Sequence, residues 1–375
     1  MHTALDRLGL LGADRLPTPR AAVAMALLAW LPPAILAVTQ SLTDDSYRGF
    51  SFFSDFTTHT RYLFAIGMMI ATERYASGRV SLLLRQFRAA QLIPDDSAPA
   101  FSAALQSADR RSASALAEAL IAAAALIWSG FATSYDTALV GASWRGIAIE
   151  GQVFLSWAGQ AARFLSTPLY VFLTVRWLFR LLVWTALLFR VSRLPLQLTP
   201  LHPDRSAGLG FLAIYPSIFS GFVFAQSSVV ASGFVMELSL ARYSPDTVWF
   251  ALAGWIAFNL VLFLGPLLVF IPPLYFAREQ ALLDYGRLAN QHHLAFHRRW
   301  ILEKRSGEDL LGSPDPSSVS DLNASVQAVL EVRVIPVNGS ALAQLLAAAG
   351  VPMLAVLATQ MPLIEIGKWI VEVIL

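Results

Sequence analysis

Residues 168–190 read PLYVFLTVRWLFRLLVWTALLFR. A bilayer crossing needs about 20 apolar residues at 1.5 Å rise per residue, and this run supplies them. It lacks period-2 alternation, so it reads as a helix and not as a barrel strand. Near its middle stand Arg176 and Arg180, four residues apart and therefore on one face. Each unpaired charge at bilayer depth costs on the order of 3 kcal/mol. A carboxylate, a set of carbonyls or a water-filled space has to offset that.

Working outward, similar apolar runs occupy about 21–39, 57–73, 114–132, 208–235, 247–271 and 340–359. Together these seven predict an all-α, polytopic transmembrane helical bundle, because only helices and closed barrels satisfy every backbone group in lipid. Composition agrees. The chain has 375 residues, 56% hydrophobic and 14% charged, against about 25% charged in soluble domains. The net charge is +2, and the absence of cysteine excludes disulfide and thiolate chemistry. The basic excess reads as Arg-loaded cytoplasmic loops and not as a nucleic-acid footprint.

The segments between the runs give orientation. Arg is concentrated before residue 21, in 74–111, in 190–205 and in 276–338, whereas 40–60, 133–150 and 237–246 hold little. Seven crossings then place the N-terminus in the cytoplasm and the C-terminus outside. Paired Pro32–Pro33 and the long preceding region argue against a cleaved signal peptide. The run 57–73 is the weakest span, ending at Glu73, and should continue as one helix into 79–93. There Val80, Leu83, Leu84 and Phe87 share a face with Arg residues opposite, which suits a helix on the inner membrane surface. The segments 74–113 and 276–338 are thus cytoplasmic and helical, the second interrupted by a Ser/Pro-rich linker at 306–320. Residues 152–165 read as a separate short helix, and Ser166-Thr167-Pro168 as the start of the next. Pro272–Pro273 reads as the end of the sixth span, Pro216 and Pro266 as kinks, and 364–375 as a short amphipathic helix.

Several residues are candidates for chemistry. Arg176 and Arg180 form either an anion-attracting path or a structural cluster. In the second case they pair with Glu73 and Glu118, stack on Trp177 and Trp184, or face the cytoplasm on a displaced helix. The fifth span is rich in small and hydroxyl residues and carries Gln226 and Ser227; with Asn259 in the sixth it either packs tightly or lines a polar path. Gln344 and Gln360 have the same standing. His202, Asp204, Arg205, Gly208 and Gly210 read as a capping turn or as an anion site at a helix start. The His-Pro-Asp tripeptide also occurs in J-domain co-chaperones, but here it lies between membrane spans, and that reading is rejected. His292, His293 and His297 lie on a charged helix without the Glu of an HExxH site, so no metal site is expected. No GxxxxGK[ST] loop or GxSxG elbow is present, and no cofactor is expected.

The string Arg176-Trp177-Leu178-Phe179-Arg180, followed by Leu201-His202-Pro203-Asp204-Arg205 and Gly208-Leu209-Gly210-Phe211-Leu212, resembles a family of uncharacterised bacterial multi-pass inner-membrane proteins. Arg61-Tyr62-Leu63, Asp284-Tyr285-Gly286 and Asp321-Leu322 fit it too. The pattern has a further Gly where this chain has Ala207, and 312–322 departs from it. The resemblance implies architecture and a bacterial inner-membrane location, and carries no activity.

The sequence ranks a channel or transporter for a small solute or ion first, an anion favoured. The alternative is a non-transporting scaffold or sensor that docks a cytoplasmic partner on 79–93 and 276–305. A membrane enzyme ranks third, since no catalytic constellation is visible. The bilayer is the expected partner; a homo-oligomer and a cytoplasmic protein partner stay open, and nucleic acid is excluded.

Overall fold

A computed structural model describes residues 18–43, 49–140, 143–149, 152–239, 245–302 and 313–358. The chain is almost entirely helical there. Its long helices are α1 (Pro19–Ser41), α2 (Ile66–Ala89), α3 (Ala98–Ser112), α4 (Ala115–Val140), α5 (Thr167–Val191), α6 (Ser220–Ser239), α7 (Pro245–Leu264), α8 (Ile271–His297), α9 (Asp315–Leu330) and α10 (Gly339–Ala358). Among the described residues, six helical segments are long and apolar enough to cross a membrane by length and composition. The chain is a multi-pass integral membrane protein. Expectations for the N-terminal segment before Thr18, Asp44 and Asp45, residues 306–312 of the linker, Gln360 and 364–375 lie outside the described residues.

Five helices set a common thickness. α1, α4, α6, α7 and α10 contain between 20 and 26 residues, or roughly 30–39 Å each, the depth of a bilayer crossing. α2 and α5 are longer. α2 is preceded without a break by a π-turn at Thr60–Ala65 and a helical turn at Phe56–His59. α5 is preceded in the same way by Ala162–Ser166 and Trp157–Ala161.

Cross-helix contacts fix the levels. At one end, Trp30 Nε1 donates to His59 Nδ1 at 2.8 Å, Thr57 donates to the Ser232 carbonyl at 3.1 Å, and Gln40 accepts from the Trp157 amide at 2.7 Å. At the other, Glu118 in the first turn of α4 lies 3.5 Å from Arg176, and Gly221 near the start of α6 lies against Thr72. Residues 57–73 therefore run alongside α1 and α6 within the bundle. They are sheltered by α1, α5 and α6, with Tyr62, Ala65, Ile66, Met69, Ile70 and Glu73 all buried.

Beyond Glu73 and Arg180, α2 and α5 leave the slab defined by the five helices and build an Arg-rich layer with α3 and the chain around 210–219. Here the sequence reading needs correction. Leu83 and Phe87 are buried, and Phe87 packs on Phe101, Phe211 and Phe270 at 6.0, 5.0 and 6.4 Å. On the apolar face of 79–93, Leu83 and Phe87 are covered by the chain's own side chains, while Val80 and Leu84 are half-buried.

Three other local differences follow from backbone hydrogen bonding. Residues 152–155 form a strand paired antiparallel with Gly146–Ile149, not a helix, with Gly146 opposite Leu155. Gly146 has φ of +155°, and a Cβ there would lie 2.3 Å from the Phe154 carbonyl oxygen. Ser166-Thr167-Pro168 does not start a helix: the π-turn Ala162–Ser166 carries the rod across Pro168, whose missing N–H would interrupt an α-helical ladder. Likewise Pro272 and Pro273 do not end the sixth span. The ladder shifts to a 3₁₀ stretch at Gly265–Phe270, and both prolines then sit in the first turn of α8, where no N–H is required. The expected disruptions at Pro216 and Pro266 are present, as the short turn Tyr215–Ile218 and that 3₁₀ stretch.

Gly221 governs how closely α6 approaches α2, because an added Cβ would fall 2.2 Å from Thr72 Cγ2. We expect Gly221→Ala to destabilise the bundle by about 1–3 kcal/mol through overpacking. Gly233→Ala, where nothing lies within 4 Å, should leave stability unchanged or raised. Thermal unfolding of the full chain in detergent checks the pair.

Candidate functional site

Glu73 is a carboxylate on a crossing helix with 1% of its side chain exposed. Ionised, it needs donors from every side. α5 supplies them from two successive turns. Arg176 donates through Nη1 to Oε2 at 3.1 Å and through Nη2 to Oε1 at 3.0 Å, a bidentate pair. Arg180 donates to Oε1 at 2.8 Å, and Arg176 Nε lies 3.5 Å from Glu118. Both proposed counter-charges are thus beside the arginines. The rings of Trp177 and Trp184 stack on Phe222 and Tyr215.

The depth of this cluster differs from the sequence reading. The α5 rod begins at Trp157, so Arg176 lies 19 residues along it, roughly 28 Å from the opposite face. That is level with the first turns of α4 and α6. Within the bundle the arginines therefore stand level with one end of α4 and α6 and not midway along them. Their exposures differ: the Arg176 side chain is 7% exposed and that of Arg180 33%. Arg180 lines a cavity of about 240 Å³ that opens between α2, α3 and α5.

Polar side chains continue into the slab from Glu73. One turn away on α2, Met69 Sδ accepts from Gln226 Nε2 at 3.4 Å and from Thr174 at 3.8 Å. Gln226 also donates to Thr174 at 3.1 Å and accepts from Tyr170 at 2.6 Å. The Arg61 guanidinium lies over the Tyr170 ring at 5.8 Å, and the Tyr62 and Thr167 hydroxyls are 2.7 Å apart. At the far face, Asp55 caps its helix through the Thr58 amide and takes hydrogen bonds from Thr58, Trp144 and Arg145 at 2.8 to 2.9 Å. Gln226 belongs to this column. Ser227 and Asn259 do not: Trp255 donates to Ser227 at 2.7 Å, and Asn259 donates to the Trp255 carbonyl at 2.8 Å, both on the α6–α7 side.

Sequence reasoning missed Tyr170, Thr174, Asp55 and Arg145. Tyr170 and Thr174 are four residues apart on the quoted span, a spacing that pointed to one face. Arg145 lies in a loop that counts as poor in basic residues, and only the fold brings it to Asp55.

The His202–Gly210 turn resolves as a cap. Asp204 Oδ1 accepts from the Ser206 and Gly208 amides at 2.8 and 3.2 Å, and Oδ2 from Gly210 at 2.7 Å. The amides that would greet an external anion already hold this carboxylate. Gly210 is required, since a Cβ there would fall 2.6 Å from Asp204 Cβ. Arg205, Ala207 and Gly208 have φ of 55°, 53° and 94°. A left-handed non-glycine residue costs about 1–2 kcal/mol; the Asp204 bonds and the Arg333 amide on the Arg205 carbonyl at 2.7 Å offset it. Arg205 itself lies 3.2 Å from Glu331. Among the described residues no group of three or more His, Asp or Glu side chains is arranged to hold a metal ion; His293 and His297 lie on α8. Compared with protein-family models, curated proteins and solved structures, the chain matches none.

Two outcomes are expected. Glu73→Gln leaves two guanidiniums beside a neutral amide and should destabilise the protein by about 3–5 kcal/mol; adding Arg176→Met should recover part of that, read as a double-mutant cycle in detergent unfolding. At Asp204, burial raises the carboxyl pKa, but hydrogen bonds from Ser206, Gly210 and Gly208 and the nearby His202 outweigh it, so the net value is lowered. A lowered folded pKa gives stability above the unfolded value of about 3.9 that is lost as pH falls through the folded value. Asp204→Asn should cost about 1–2 kcal/mol at pH 6, and the gap from the native chain should close towards pH 3.

Proposed function

We propose that this protein is a transporter or channel for a small anionic solute, with Arg180 at its mouth. The observation that carries the proposal is the unequal exposure of the two arginines. Arg176 is sealed, while Arg180 shares Glu73 and also reaches an open cavity. An anion arriving from the Arg-rich side meets Arg180 first and competes with Glu73 for it. Beyond that ion pair lies the column Thr174, Gln226, Tyr170 and Arg61. The column is closed as it stands, so passage requires helix movement. The irregular stretches at Tyr215–Ile218 and Gly265–Phe270 adjoin this boundary and supply hinge positions. The positive-inside bias places the Arg-rich end and the N-terminus in the cytoplasm, and the family resemblance favours a bacterial inner membrane.

A scaffold or sensor is the second reading. It is favoured by exposed apolar side chains on α8, where Phe276, Leu283 and Leu294 are 70%, 70% and 60% exposed with Arg287 between the last two. Such a face suits a partner helix.

Flux decides between them. Full-length protein in liposomes should move small anions, and Arg180→Gln should reduce the rate at least tenfold while Gly233→Ala leaves it intact. If no anion tested moves while the protein stays folded, the scaffold reading takes its place.

A further inference from the structure

The charges around Glu73 balance as they stand, and an anion at Arg180 unbalances them. Arg176 and Arg180 bring two positive charges from α5; Glu73 of α2 and Glu118 of α4 bring two negative ones. Glu73 Oε1 takes donors from both arginines, Arg176 Nη2 at 3.0 Å and Arg180 Nη1 at 2.8 Å. Arg176 also serves Glu118, which lies 3.5 Å from its Nε. The other elements around α2 add little charge. α1 meets it through Ala22 and Ala26, α6 sends the uncharged Gln226 to Met69, and the turn Tyr215–Ile218 brings Tyr215. Arg74, next to Glu73 on α2, is exposed, and Asp109 of α3 lines the same cavity as Arg180.

An anion that takes Arg180 leaves Arg176 to serve two carboxylates and adds a third negative charge beside them. Two carboxylates on one cation hold a proton between them more readily than two with a cation each. Glu73 is 1% exposed and Glu118 32%. Burial penalises the charged form, so the more enclosed carboxylate is the one to be neutralised. We infer that anion binding at Arg180 is coupled to protonation of Glu73, so that one proton travels with each anion. The proton comes from water in the cavity and lands on Oε1, the oxygen that Arg180 gives up. Glu73 is then a tethered competitor for the guanidinium, and the proton is what silences it. This coupling deepens the transport reading and rests on it for the presence of an anion; what it adds is the energy source. A proton gradient drives the anion in the same direction, and for a monovalent anion the pair crosses without net charge. Linkage fixes the sign: binding that takes up a proton weakens as pH rises, by about tenfold per pH unit for one full proton.

The test is calorimetric titration of chloride, nitrate and formate into full-length protein in detergent, in two buffers of different ionisation enthalpy at equal pH. The buffer dependence of the heat counts the protons taken up. We expect about one proton per anion bound at pH 7, and binding about tenfold weaker at pH 8 than at pH 7. Arg180→Gln should abolish binding. Glu118→Gln removes the second carboxylate and with it the need for the proton: the anion still binds, and proton uptake falls by about half or more. Glu73→Gln should bind more tightly, with no proton taken up at any pH; if that variant does not fold, Glu118→Gln decides alone. Binding without proton uptake, uptake unchanged in Glu118→Gln, or no binding of any of the three anions each overturns the inference. In liposomes an acidic exterior should drive uptake of the same anion, and a protonophore should abolish it. Flux that ignores the pH gradient keeps the transport reading and removes the coupling. Binding with proton uptake but no flux keeps the coupling and removes transport.

Discussion

The bundle is organised around one carboxylate. Glu73 is almost fully enclosed, and an enclosed charge is tolerated only with partners in good geometry. Arg176 and Arg180 are those partners, and their positions on successive turns fix the rotation of α5 about its own axis. Glu118 ties the first turn of α4 to the same point. Three crossing helices are thus registered against one another where the apolar slab ends. A net worth near zero for such a cluster is compatible with this role, because its main effect is to exclude other packings.

The same boundary explains where helices change character. Within the bundle α1, α4, α6, α7 and α10 are continuous and largely apolar. At its Arg-rich face the chain leading into α6 is irregular from Gly210 to Phe219, and α7 gives way to a 3₁₀ stretch. Backbone groups freed by Pro216 and Pro266 are easier to satisfy near water than at bilayer depth. α2 and α5 continue through, and their protruding ends are covered by Phe101, Phe211 and Phe270, which is why an amphipathic pattern in 79–93 need not mean contact with lipid.

Much of this architecture was legible from hydropathy, because a bilayer imposes length and apolarity on each pass. Glu73 and Glu118 stood out as candidate counter-charges, since few carboxylates stand near the spans, but only the fold pairs them with Arg176 and Arg180. Position along the helix was not legible. Starting the helix at Pro168 puts Arg176 near its middle, whereas the continuous rod begins at Trp157, and a π-turn that bridges a proline has no clear sequence signal. The short hairpin at 146–155 was hidden because four-residue strands carry little periodicity. Ser227 and Asn259 looked like Gln226 in composition, and only the facing of α6 towards α7 separates them. The reading of His202 to Gly210 as either cap or anion site came down to where one side chain, that of Asp204, points.

The two π-turns, at Thr60–Ala65 and Ala162–Ser166, have a mechanical consequence. Each wedges an additional residue into its helix, which shifts the angular phase of everything downstream by about 100°. They lie side by side, joined by the Tyr62 hydroxyl on Thr167. The rods are also latched at Glu73, roughly 17 Å further on. Pinned at two heights, neither rod is free to twist alone; α2 and α5 behave as meshed gears, and torque applied to one protruding shaft is delivered to the other.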